Sequence, residues 1–197
     1  DADVSSLYPN IAIANRLYPE HLGEEFCDVY KNDIVDVRLR EKHKKENGDK
    51  AIVDGFKEAA NATYGNSNQE HSWLYDPLYT MKTTINGQLI ITMLCEQLLE
   101  IPNLIIIQAN TDGITVKLPK NNLEQYHNIC NDWMKLTKWE LEFAEYSKMI
   151  IRDVNNYIAV YTNGKTKCKG AFEFENLPLH KDKSHNIIPI AIYNYFV

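Results

Sequence analysis

"NTDGITVK" (residues 110–117) follows the apolar run at 104–108 and continues into Leu118. Two strand-like segments joined by a short polar turn predict an antiparallel hairpin with Asn110–Gly113 at its tip. The turn holds one carboxylate, Asp112. A lone acid in a turn usually hydrogen-bonds nearby backbone; it becomes half of a metal site only when a second acid reaches the same rim. "DADV" (1–4) reads as the end of a strand, and its Asp3 stands just before the turn "SSLYP" (5–9). If these strands are sheet neighbours, both carboxylates reach one rim. Two hard oxygen ligands with room left for water and phosphate oxygens suit Mg²⁺, which seldom takes an all-protein cage. A two-metal phosphoryl transfer needs such a pair. Asp1 is read as a strand-end carboxylate outside it.

Outward from the hairpin, the elements alternate without repeats. Pro9 opens a short helical run at 10–16, and residues 29–45 carry Ile34, Val35 and Leu39 among charges, as an exposed helix would. "NGD" (47–49) is a turn in which Asp49 can N-cap a helix running to about Tyr64. The two helices form an antiparallel hairpin projecting about 25 Å at 1.5 Å per residue. After the polar loop "GNSNQEHSW", the longest helical pattern runs over 78–100, with Ile85, Leu89, Ile90, Met93, Leu94, Gln97 and Leu98 read as core. A helix at 122–136 and strands near 139–152, 156–162 and 165–174 complete the chain, the last two joined by a type I′ turn at Asn163-Gly164. Trp133 and Trp139 are read as core, and His71 with Trp73 as loop packing. This order predicts an α+β fold: an antiparallel sheet with helices packed on one face, plus a protruding helical pair.

At 197 residues the chain is long enough for a substantial core. It begins as if cut from a larger protein. A net charge of −6 argues mildly against a nucleic-acid partner, but the charge is uneven. Arg38, Arg40, Lys42, Lys44 and Lys45 crowd one helical stretch and Lys165, Lys167 and Lys169 another, and such local stripes are what bind phosphates. Cys27, Cys95, Cys130 and Cys168 form no CxxC pair, which excludes a zinc or disulfide framework and fits a reducing compartment. The histidines lack zinc spacing. There is no phosphate-binding Walker loop, no signal peptide and no membrane-length apolar run.

The stretch "KEAANATYGNSN" (57–68) adds the strongest local pattern. Lys57, Asn61 and Tyr64 share one helical face, a cation, an amide and a phenol in line, and Gly65 is positioned to end the helix. Arg40 with Lys44, or Arg38 with Lys42, would add cations from the partner helix at i, i+4; the sequence leaves that register open.

In this order the stretches resemble the palm and fingers of family B, viral-type replicative DNA polymerases. "DVSSLYP" (3–9) is similar to the family's D-x-x-S-L-Y-P motif, "KEAANATYG" (57–65) to K-x-x-x-N-x-x-Y-G, and "NTDG" (110–113) to D-T-D-S. "VNNYIAVY" (154–161) and "KCKG" (167–170) resemble the downstream K-x-Y and K-x-K-G elements. The resemblance covers essentially the whole chain. It implies palm at 1–28, a fingers hairpin at 29–65, and palm again at 66–197, ending before the thumb. It further implies that Asp3, Asp112 and the Val4 carbonyl hold two Mg²⁺ ions, for which Mn²⁺ substitutes. The backbone at Ser6 and Leu7 would cradle a deoxynucleoside triphosphate, and Tyr8 would lie under its sugar. Lys57, helped by Arg40 and Lys44, would contact phosphates; Asn61 and Tyr64 would wall the nascent base pair. Gly65, Tyr157, Lys167 and Lys169 would meet the primer-template DNA.

Three positions depart from the family pattern. Asn110 replaces the first acid of the third motif, removing a charge but not the main ligand, so activity is expected to persist with altered metal preference. Gly113 replaces Ser, which would loosen the turn. Asn155 stands where K-x-Y has its lysine. The reading is a cytoplasmic DNA-directed DNA polymerase, phage-encoded or viral, lacking its thumb and an exonuclease domain, and weak or inactive as an isolated fragment. The rivals are a degenerate palm that only binds DNA, and another templated polymerase such as a reverse transcriptase, against which the lack of Tyr-x-Asp-Asp stands.

Overall fold

The structure is a computed structural model and describes residues 1–44, 48–175, 177 and 184–197. Lys45 of the basic stretch and Asn47 of the predicted turn lie outside the described residues. The fold is α+β, and the chain divides into two compact units: residues 1–3, 97–136 and 140–197 in the first, residues 4–96 and 137–139 in the second.

The first unit is built on strands. β1 (Ala2–Val4), β2 (Ile105–Ala109), β3 (Gly113–Lys117) and β4 (Leu141–Phe143) form a sheet in the order β2-β3-β1-β4. The hairpin read from "NTDGITVK" is present: β2 and β3 are antiparallel, and the Asn110 amide donates to the Gly113 carbonyl at 2.9 Å. Helix α6 (Leu123–Thr137) buries Tyr126, Cys130 and Trp133, at i, i+4 and i+7, and the Tyr126 ring meets Phe143 of β4 edge-on at 6.2 Å. The expected strand at 139–152 is instead two strands. The chain leaves the first sheet after β4 and enters a second, three-stranded antiparallel sheet of β5 (Tyr146–Asp153), β6 (Asn156–Tyr161) and β7 (Thr166–Lys169). The β6–β7 turn is not type I′. Gly164 has φ +82° but Asn163 does not have positive φ, and the Gly164 amide donates to the Tyr161 carbonyl. That is a three-residue loop with Gly in the left-handed position. A terminal helix α7 (Ile187–Phe196) follows.

The second unit is helical: α1 (Leu7–Ala14), α2 (Glu25–Val29), a π-helical stretch (Tyr30–Val35), α3 (Asp36–His43), α4 (Lys50–Asn66) and α5 (Pro77–Leu99), whose last turn belongs to the first unit. Asp49 caps α4 as expected, accepting from the Ala51 amide at 2.8 Å. Gly65 does not end that helix, which runs through Asn66. The 29–45 segment is not simply exposed. Val35 is buried with Ala12, Tyr30, Ala60 and Tyr79, and Ile34 and Leu39 pack on that cluster, because one face of α3 lies on α4. In α5 the buried stripe is Tyr79, Thr83, Gly87, Ile91, Leu94 and Leu98, while Ile85 and Leu89 are exposed. Thr83 and Gly87 share that inner face with large residues, Gly87 lying against Leu7, Tyr8 and Ile11, so residue size alone misleads. Trp139 is only half-buried, and Trp73 is 91% exposed, which removes the packing role expected for it.

Candidate functional site

The first unit's site is set by strand register. β1 and β3 are antiparallel with Asp3 directly opposite Gly113, so Asp3 stands across from the residue that follows Asp112. The Asp3 carboxylate lies over the β3 backbone: a Cβ built on Gly113 would sit 1.7 Å from Asp3 Oδ1 and 3.1 Å from the Ala2 carbonyl. Gly113 is therefore present for room, not to loosen the turn. Asp112 is exposed at the hairpin tip. Burial holds the Asp3 carboxyl above the usual carboxylate range, the charge of Asp112 raises it further, and Lys167 and Lys169 pull the other way. These residues form a pair of hard oxygen donors that a divalent cation would suit. Among the described residues no group of three or more metal-binding side chains occurs, and a two-acid set with open positions is what Mg²⁺ with its waters accepts. The Asn110 side-chain oxygen is buried without a hydrogen-bond partner.

Asp1 has a different fate from Asp3. Its carboxylate accepts from Thr115 Oγ1 at 2.7 Å and from the Tyr146 hydroxyl at 2.9 Å. Gln108 Nε2 donates to Thr115 Oγ1 at 3.4 Å, after a bulge in β2 between Ile106 and Gln108. Asp1 therefore links the two sheets of this unit. Sequence reasoning missed this network because nothing local connects its members.

Lys167 and Lys169 alternate on one face of β7, half-buried. Lys169 Nζ lies 6.0 Å from the Tyr157 ring centroid, and Tyr157 is only 3% exposed. The Tyr157 ring is thus the floor under Lys169. Gly170, at φ +65°, is required: a Cβ there would come within 2.3 Å of the Asn155 carbonyl. Asn155 is exposed in the β5–β6 turn, its amide donating to Asp153 at 3.1 Å.

The second unit's site begins at the turn after β1. Ser6 is in the left-handed region (φ 57°, ψ 47°) and its side chain does not cap α1. The first amides of α1, at Leu7 and Tyr8, are therefore without a side-chain cap, and such amides attract anions. Asn10 braces the turn, its Nδ2 donating to the Ser5 carbonyl at 2.8 Å. From α3, Arg38 donates to the Ser6 hydroxyl, and Lys42 Nζ reaches Ser5 Oγ at 3.3 Å. Arg38 and Lys42 face the turn, while Arg40 bonds the Asp36 carbonyl at 3.2 Å and Lys44 pairs with Glu41. Arg40 and Lys44 stand two residues further along, about 200° around the helix from Arg38 and Lys42, and i, i+4 spacing alone does not choose between the pairs. Arg38 is buried and its Nε has no partner.

Beside this turn, Tyr8 and Tyr64 stack with ring centroids 4.0 Å apart and 24° between planes. Lys57 and Asn61 are exposed on α4, about two turns and one turn before Tyr64. Gly65 is also exposed, with nothing within 4 Å of an added Cβ. Two residues of α5 that the sequence did not single out complete the group: Thr84, 2.9 Å from the Tyr64 hydroxyl, and Gly87, buried against Leu7, Tyr8 and Ile11. The signal for Gly87 was its place inside a long helix, where glycine is disfavoured unless packing requires it.

Chemically, the first unit offers two carboxylates with nearby lysines, and the second a cation-lined turn with an aromatic pair. No protein-family model matches the chain, and no curated protein matches it. Its fold is that of part of a family B DNA polymerase. One solved structure with this fold is the family B DNA polymerase from the hyperthermophilic archaeon Pyrobaculum calidifontis, with a TM-score of 0.65 and 19% identity over 86% of this chain and 26% of that one. This chain therefore spans about a quarter of that polymerase's length.

Proposed function

We propose that this chain is the palm-and-fingers portion of a family B DNA-directed DNA polymerase, adding deoxynucleotides to a primer 3′-hydroxyl. The observation that carries the proposal is the register of Asp3 opposite Gly113, with Asp112 next in sequence. It gives two carboxylates at one end of a strand pair, the arrangement that nucleotidyl transfer asks of a protein. The fold supports family B organisation; the solved relative is archaeal, so it lends no weight to a viral over a cellular source.

In this reading Asp3 and Asp112, with the Val4 carbonyl, hold two Mg²⁺ ions, and Mn²⁺ substitutes. The chemistry a bound metal pair supplies is activation of the attacking hydroxyl and stabilisation of charge on the departing pyrophosphate. The Ser5–Ser6 turn and the first amides of α1 bind the triphosphate as a nest of donors, with Arg38, Lys42 and Lys57 supplying cations. Tyr8 lies beneath the sugar, where a 2′-hydroxyl meets the ring, so deoxynucleotides are preferred. Asn61 and Tyr64 bound the nascent base pair, and Gly65 lets the backbone approach closely. Lys167 and Lys169 contact the duplex backbone, Lys169 held over Tyr157 near the primer end. Asn110 removes a charge beside the metals without removing a ligand. Palm would comprise residues 1–28 and 66–197 and fingers residues 29–65, with a thumb elsewhere in the parent chain. No helix among the described residues is long and apolar enough to cross a membrane, and four free cysteines agree with work in the cytoplasm.

Primer extension by the full-length protein, with DNA and RNA templates in Mg²⁺ and in Mn²⁺, tests the proposal. Extension on DNA in either metal is expected. Absence of extension in both would leave a degenerate palm, and a preference for RNA template would favour a reverse transcriptase.

A further inference from the structure

The Tyr8–Tyr64 pair is held from α5 by two contacts that the catalytic reading does not use. The Thr84 hydroxyl donates to the Thr80 carbonyl at 2.9 Å, so its single hydrogen is committed. In its 2.9 Å contact with the Tyr64 hydroxyl, the phenol must then be the donor. The order Tyr64 O–H to Thr84 Oγ1 to Thr80 carbonyl fastens the ring tip to the α5 backbone. The α4 side is fastened as well, because Ser67, fully buried, donates to the Tyr64 carbonyl at 2.6 Å and stands 2.7 Å from Thr80 Oγ1. The second contact is steric. An added Cβ on Gly87 would lie 3.5 Å from Tyr8 Cε1, 3.4 Å from Ile11 Cδ1 and 3.7 Å from Leu7 Cδ2. Gly87 therefore leaves a small clearance along the edge of the Tyr8 ring.

A ring that excludes a 2′-hydroxyl by contact does so only as far as it cannot yield. Tyr64 covers a face of Tyr8, and Thr84 prevents Tyr64 from moving aside; Gly87 sets how far Tyr8 can slide against α5. We propose, resting on the polymerase reading above, that Thr84 and Gly87 are positioning residues that set how strictly the site distinguishes deoxyribose from ribose. The two act with opposite sign. Loss of the Thr84 hydroxyl loosens the pair, whereas a methyl group at Gly87 removes the clearance and stiffens it.

The experiment is single-nucleotide incorporation by the full-length protein, comparing kcat/KM for a deoxynucleotide and the matching ribonucleotide opposite one template base. Thr84→Val should lower the discrimination about five-fold, the size of one hydrogen bond, and Thr84→Ser should restore it to within about two-fold. Tyr64→Phe should mimic Thr84→Val, and the double variant should be no worse than either single one, since both remove the same bond. Gly87→Ala should raise discrimination about two- to three-fold, since the added Cβ fills the clearance in ordinary van der Waals contact with Tyr8, Ile11 and Leu7. Equal slowing with both sugars, additive effects in the double variant, or lowered discrimination in Gly87→Ala would overturn the inference. Should Thr84→Val fail to fold, the Tyr64→Phe and Gly87→Ala arms decide it. A wild-type protein that incorporates neither sugar would instead overturn the polymerase reading; one that extends with normal selectivity and ignores these substitutions overturns only this inference.

Discussion

The two compact units place their polar groups by different physical means. In the first, the backbone does the work: Asp3 and Gly113 face each other because β1 and β3 pair in one register, and a one-residue slip would turn every side chain to the other face. In the second, side chains do it: Arg38 and Lys42 are drawn to the serine turn by hydroxyl contacts, and Tyr64 is fastened to α5 through Thr84. A register-defined site has little slack, so substitutions there should act steeply. A site defined by separate side-chain bonds should lose function in increments, one bond at a time.

The steepest test is Asp112→Ala. The side chain is exposed, so the fold should persist by circular dichroism while nucleotide incorporation falls on the order of 10³-fold, the loss of several kcal/mol of metal-borne charge stabilisation. Asp3→Ala should match it. Near-normal incorporation in either variant would remove the carboxylate pair from the mechanism and with it the reason to call the first unit the sharper half.

Gly113→Ser asks whether the register leaves any slack. The new Cβ would fall 1.7 Å from Asp3 Oδ1, with the Ala2 carbonyl behind it, so the carboxylate must leave its position. Overpacking of this kind typically costs about 1–3 kcal/mol, which corresponds to roughly a 5- to 150-fold loss of kcat at ~1.4 kcal/mol per decade. Steady-state kinetics across a Mg²⁺ titration would read it. A variant with wild-type kcat would mean that Asp3 has an alternative placement of equal quality.

The second unit is probed by Arg38→Ala beside Arg40→Ala. Removing Arg38 takes a charged donor from the serine turn, an interaction class worth about 1.5–3 kcal/mol; the nucleotide KM should rise at least about ten-fold with kcat less affected. Arg40, which bonds its own helix backbone and is exposed, should change KM less than about two-fold, as exposed charges usually do. Equal effects would return the choice between the two registers to where the sequence left it.

That choice marks the line between what was legible in the sequence and what was not. The hairpin and the Asp49 cap follow from local pattern: turn residues between apolar runs and a capping side chain. The rotation of α3 does not, because Arg38/Lys42 and Arg40/Lys44 have the same spacing and similar composition, and only packing against α4 selects between them. Ile85 and Leu89 were expected inside α5 because they are large and apolar. The inner face runs instead through Tyr79, Thr83, Gly87, Ile91, Leu94 and Leu98, because angular position on the helix and not side-chain size decides what is buried. Asp1, Thr115 and Tyr146 are joined only through sheet pairing, and no window of sequence contains them together.

The mildest prediction concerns Asp76, which belongs to the same side-chain-defined unit but lies away from its site. Its Oδ1 accepts from the amides of Leu78 and Tyr79 at 2.9 and 3.0 Å, capping α5, and its Oδ2 accepts from the Glu20 amide at 2.9 Å. Partial burial pushes its carboxyl upward, but the three amides together outweigh burial and hold it below the usual carboxylate value, with His21 helping. A carboxylate whose folded pKa is depressed stabilises the fold fully above its unfolded value, near 3.8, and loses that contribution as pH falls through the folded value. Asp76→Ala should therefore cost about 1 kcal/mol at neutral pH, the usual worth of an N-cap. The gap between its Tm and that of the wild type should hold from pH 7 to about 5 and close as the pH falls below roughly 4. A gap that stays constant down to pH 2 would show that Asp76 acts through packing and not through its charge. Sugar discrimination in this variant should match the wild type, because the substitution keeps the Asp76 backbone to which Thr80 and Ser67 bond. A change there would mean that the cap and the Tyr8–Tyr64 pair are coupled along α5, and that the second unit yields less independently, bond by bond, than its construction from separate side-chain contacts implies.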